Sequence, residues 1–140
     1  MVVLGGAAKV GKSDFVLSWL TYMAAGETFL GLTPTRRLRI FYLQAEVQYH
    51  YLRERLQLMS LPDMLLWRAS DNLLMTPQLR LILNDEGMAI VIDALKKAST
   101  DEPLDVIVID PLRNLFDGGE DGASENDNQA MLYFLRERVE

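Results

Sequence analysis

Eight residues near the start, Gly6-Ala7-Ala8-Lys9-Val10-Gly11-Lys12-Ser13, constrain this chain more than any other feature. They fit the pattern G-x-x-x-x-G-K-[ST], whose spacing has a chemical reason. A loop that wraps a phosphate presents successive backbone N–H groups to it, and glycines permit the positive φ and close approach that this takes. The motif follows Met1-Val2-Val3-Leu4, an apolar run that reads as a buried strand. It precedes residues 12–25, where Phe15, Val16, Leu17, Trp19, Leu20 and Met23 read as a helix packed inside the domain and stopped by Gly26. That helix aims the positive end of its dipole at the same anion. Lys12 then reaches the β- and γ-phosphates of a nucleotide, and the Ser13 hydroxyl ligates Mg²⁺. The expected nucleotide-binding residues are thus Gly6, Ala7, Ala8, Lys9, Val10, Gly11, Lys12 and Ser13, with the Lys9 side chain read as solvated. With glycine near ~7% of residues, a chance match in 140 residues is a rare event, on the order of 0.5%.

The rest of the chain alternates strands and helices. Leu38 to Leu43 has the β-branched and aromatic content of a strand, and residues 48–60 read as a helix carrying Tyr51, Leu52, Leu56 and Met59 at helical spacing. Leu73-Leu74-Met75 reads as a short strand. Residues 86–98 form a helix with Met88, Val91, Ile92 and Leu95 as its stripe, and Leu104 to Ile109 is an aliphatic run. Aliphatic runs between helices indicate a mainly parallel sheet covered on both faces, so the fold class is α/β. Trp19 and Trp67 read as core, and Arg36, Arg37 and Arg39 as a solvated turn. Ser124-Glu125-Asn126-Asp127 fits a helix-capping box, and Asp117–Asn128 is rich in Gly, Asp and Asn.

Two carboxylates complete the candidate site. Leu104 to Asp110 resembles a Walker B strand, an aliphatic strand that delivers one acid at its carboxyl end, where α/β ligands bind. Asp110 is the expected second partner of the Mg²⁺ shell; the alternative is a turn-initiating Asp before Pro111. Since Pro111 follows, a base for ATP hydrolysis comes from elsewhere. Glu46 follows the strand Ile40–Leu43 and emerges on the same sheet edge as Gly6 and Asp110, the only edge within reach of the attacking water. Its alternative is an acid favoured at the start of helix 48–60 by the dipole. Lys12 and Glu46 are therefore the expected catalytic residues.

Composition narrows the class further. Hydrophobic residues are 49% and charged residues 24% of the chain, ordinary globular values. No apolar run approaches the ~20 residues that span a bilayer, so no membrane partner is expected. The chain has no cysteine, which removes disulfides and thiolate metal sites and fits a cytoplasmic location. The net charge of −6 excludes the basic footprint of a duplex-binding module.

The stretches GGAAKVGKSDF, AAGETFLG, IFYLQAE followed by YLRERL, and VIVIDPLRN followed by ENDN together resemble the RecA/DnaB-type ATPases. Within them the similarity is closer to the AAA_25 group, which includes the RepA-type hexameric replicative helicases of plasmids and phages. The resemblance implies a three-layer P-loop NTPase fold, ATP and Mg²⁺ as ligands, and a glutamate after the second strand that activates water, a role that falls on Glu46. It also implies single-stranded DNA and a homo-oligomer, a hexameric ring, as partners of the intact protein. The ENDN stretch falls near the nucleotide edge in such a fold, which makes Glu125 and Asn128 candidates for the site, and His50 is a surface residue away from the sensor position. Arg113, three residues past Asp110, either contacts phosphate or forms a surface ion pair. The family continues with a strand bearing a sensor histidine or similar polar group, then an arginine finger and DNA-contacting loops. On that expectation the 140 residues are one partial RecA-like domain truncated at both ends, poorly stable and nearly inactive alone. The missing strand would leave Met1–Leu4 and Leu104–Asp110 flanking an open slot or collapsed together. Two other functions share the phosphate loop: a small-molecule kinase, and a nucleotide-binding loader or regulatory protein that does not unwind DNA.

Overall fold

The computed structural model describes residues 2–7, 9–44, 49–76 and 85–110. Its elements are α1 (Lys12–Ala25), β1 (Ile40–Gln44), α2 (Tyr49–Leu58), α3 (Asp63–Ala69), β2 (Leu73–Met75), α4 (Asp85–Ala98) and β3 (Val106–Asp110). The strands form one parallel sheet in the order β2-β1-β3. In register, Ile40 lies opposite Leu73 and Val106, and Gln44 lies opposite Asp110. Every residue of β1 is buried, as expected of a central strand covered on both faces.

Alternation along β1 divides the core in two. Ile40 and Tyr42 pack with Leu20, Met23, Ala24 and Ala25 of α1 and with Leu65 and Ala69 of α3. Phe41 and Leu43 face the other way, against Val91 of α4 with Ala94, Leu95 and Leu104 at the margin. The result is three layers: α1 and α3, the sheet, and α4. The α/β, P-loop-like architecture expected from the sequence is therefore present.

The foot of α1 is tied to the amino ends of the strands. Gly26 ends the helix at φ 76°, with its N–H donating to Met23 O at 3.2 Å and that of Glu27 to Tyr22 O at 2.9 Å. The Leu38 N–H donates to Met23 O at 3.1 Å just before β1, and Asn72 Nδ2 donates to Ala24 O at 3.2 Å just before β2. Arg68 of α3 forms an ion pair with Glu27. With its carboxyl end at the strands' amino ends, α1 runs antiparallel to the sheet and carries its first turn to the strands' carboxyl edge.

Three expectations need correction, and one helix had no forecast. Val2-Val3-Leu4 forms no strand and is 85%, 68% and 51% exposed. A strand needs a hydrogen-bonding neighbour, and no described strand pairs with Val2–Leu4, so the two segments do not collapse onto each other, although β3 lies at the edge of the described sheet. Helix α3 was hidden because Leu61 to Ala69 is too short for a helical period to declare itself. Trp67, on α3, is 70% exposed: Leu65 and Ala69 take the inward positions of so short a helix. Of the arginines before β1, Arg36 and Arg37 are exposed as expected, whereas Arg39 is half-buried. Arg36 grips Asp105 with both Nη atoms, at 2.8 and 2.5 Å, and half-buried Arg39 donates from Nη2 to Ala98 O at 3.1 Å. Among the described residues, no helix is long and apolar enough to cross a membrane.

Candidate nucleotide site

The phosphate loop reaches α1 through two left-handed residues, Lys9 at φ 60° and Gly11 at φ 83°. Glycine is the residue for which that conformation costs least, and a Cβ at Gly11 would meet nothing within 4 Å, so the conformation and not space demands it. The first helical bond runs from Phe15 N–H to Gly11 O at 2.9 Å. Among the described residues no side chain caps the leading N–H groups of α1, which a helix start can offer to an outside acceptor. Lys12 folds back over the loop and donates from Nζ to Gly6 O at 2.8 Å and to Ala7 O at 2.5 Å. Its ammonium thus stands over the segment that the motif assigns to phosphate. Ser13 follows on α1, half-buried.

Asp110 ends β3, and because α1 runs antiparallel to the strands, Asp110 and the first turn of α1 share the carboxyl edge. Ile40, Tyr42 and Gln44 project to the α1 side of the sheet, and in register Val106, Val108 and Asp110 do the same. Tyr42 Oη donates to Asp110 Oδ2 at 2.5 Å. Burial and the neighbouring Asp110 carboxylate push the Tyr42 phenol far above its ordinary range. Arg55 and Asp14 also act on it electrostatically, which brings the start of α1 and the body of α2 into the same field. Arg55 Nε pairs with Asp14 Oδ1 at 3.1 Å. On the β2 side, the Gln44 N–H donates to Thr76 Oγ1 at 3.0 Å, which fixes the end of the central strand.

The donor set suits Mg²⁺. Among the described residues no three His, Asp or Glu side chains cluster as a cation cage. The Ser13 hydroxyl and the Asp110 carboxylate are hard oxygen donors of the type that suits an ion taking its remaining ligands from water and nucleotide phosphates. A cleft of about 430 Å³ beside α1 is lined by Asp14, Tyr51, Glu54, Arg55, Leu58 and Met59, and not by Lys12, Ser13 or Asp110.

The AAA_25 family model, described as an AAA domain, matches residues 1–139. The chain belongs to the AAA_25 family. It is accordingly a nucleotide-binding ATPase domain, of a kind that generally takes ATP with Mg²⁺ and often oligomerises. No curated protein and no solved structure gives a significant match. Of the residues expected at the site of this AAA_25 domain, Gly6, Ala7, Lys9, Val10, Gly11, Lys12, Ser13 and Asp110 are described. Ala8, Glu46, Arg113, Glu125, Asn128 and the capping box lie outside the described residues, as does the His50 side chain. Tyr42 escaped the sequence reading: only the register of β1 with β3 reveals that it reaches Asp110.

Proposed function

We propose that this AAA_25 domain is the ATP-hydrolysing motor core of a DNA helicase or replication protein of the RepA kind. The observation that supports the reading best is the convergence of the phosphate loop, the start of α1 and Asp110 on one edge of a parallel sheet. In this reading the backbone from Gly6 to Ser13 and the Lys12 ammonium hold the β- and γ-phosphates. Ser13 and Asp110 would hold Mg²⁺, which when bound offsets phosphate charge in the transition state. Glu46, two residues beyond the end of β1, takes the proton of the attacking water. The intact protein acts as a homo-oligomeric, hexameric ring on single-stranded DNA.

The test is ATP turnover by the intact protein with and without single-stranded DNA. Stimulation by the strand, with phosphate released to water, is the expected result. Phosphate transferred to a small acceptor would replace the motor reading with a kinase. Nucleotide binding without strand-stimulated turnover would replace it with a loader or regulatory protein.

A further inference from the structure

We propose that Tyr42 is the positioning residue for Asp110, its hydroxyl holding Oδ2 at 2.5 Å so that Oδ1 is the oxygen offered to the cation. This rests on the reading of Asp110 as part of the Mg²⁺ shell. The ring of Tyr42 is 2% exposed and packed in the core shared by β1, α1 and α3, so its hydroxyl is held in place by the fold. Asp110 is at the last position of its strand and half-buried. A carboxylate there turns freely about a broad, two-fold terminal torsion unless something holds it. Among the described residues Tyr42 is the one side chain that does so, and Oδ1 accepts no hydrogen bond from any of them. A buried phenol needs a partner for its O–H, and core packing alone would be met by phenylalanine. The hydroxyl therefore acts on the site. Groups that orient metal ligands in this way typically contribute 10–100-fold to metal affinity.

The experiment uses the intact protein with Tyr42→Phe, Asp110→Asn and the double variant. It measures Mg²⁺ dependence of binding of a fluorescent ATP analogue, and the same binding in EDTA. Tyr42→Phe is expected to raise the Mg²⁺ concentration needed by about tenfold while leaving metal-free nucleotide binding unchanged. The double variant should lose no more than Asp110→Asn alone, since Tyr42 acts through Asp110. If Asp110→Asn shifts the Mg²⁺ dependence and Tyr42→Phe does not, the positioning role is wrong and the metal reading stands. If Asp110→Asn itself leaves the dependence unchanged, the metal reading fails and takes the role with it. A measurement on the unaltered chain covers the case in which Tyr42→Phe does not fold. With tyrosine labelled at the ring carbon that bears the hydroxyl, the Tyr42 resonance should move when Mg²⁺ is added to the ADP complex. A resonance indifferent to Mg²⁺ would overturn the proposal.

Discussion

Lys12 donates to Gly6 O and Ala7 O, so a nucleotide must replace two acceptors that the loop already supplies. Charge-assisted bonds to phosphate are stronger than those to neutral carbonyls, which favours the exchange. Lys12→Ala should abolish ATP binding by the intact protein, read by equilibrium titration, whereas Glu46→Gln should retain binding and stop turnover. At the opposite sheet edge, Asp105 accepts from Arg36 and from the Arg39 N–H at 2.8 Å, and these bonds hold its carboxyl below the usual range. A depressed acid stabilises the fold above its unfolded pKa, and the contribution fades as pH falls through the lower, folded one. Tm of the parent should therefore exceed that of Asp105→Asn near neutrality, and the gap should close below about pH 4. The glycine turn into α1 and the strand that ends at Asp110 were legible because each follows from residue type and spacing. The Tyr42 contact and the grip of Arg36 on Asp105 were not: both join residues more than sixty positions apart, through a register that no local pattern encodes.

At the scale of elements, the long periodic segments could be read directly. Helix α1, helix α4 and the strands β1 and β3 emerge within a few residues of where period and composition put them, because burial on one or both faces dictates the pattern. The failures were short. Three apolar residues before Gly5 carry no information about whether a neighbouring strand exists, and α3 has seven residues and an exposed tryptophan. Gly26 was legible as the stop of α1, and its positive φ makes the choice of residue testable. Gly26→Ala should cost at least about 1–2 kcal/mol, the usual penalty of a left-handed alanine, because the added Cβ would also stand 3.0 Å from Arg37 Cγ. Leu17→Ala, in the buried face of the same helix, should cost about 2–5 kcal/mol. Denaturant unfolding measures both.

Across the whole molecule, β1 is the one described strand hydrogen-bonded on both sides. Native-state hydrogen exchange should find its amides slowest, ahead of those of three-residue β2. The mooring of α1 at its foot has a further consequence. Because Met23 and Ala24 are fastened beside Leu38 and Asn72, the helix works as a gauge block whose 14 residues, roughly 21 Å, set the height of Ser13 above the strand ends. Side chains along it can be exchanged at ordinary cost, but its residue count cannot change by one without turning Lys12 and Ser13 by about 100° and moving them about 1.5 Å. A single inserted alanine in mid-helix should thus leave a folded protein that no longer captures nucleotide, while substitutions at the same positions are tolerated. In this domain the length of one helix is as much a determinant of the chemistry as the lysine it carries.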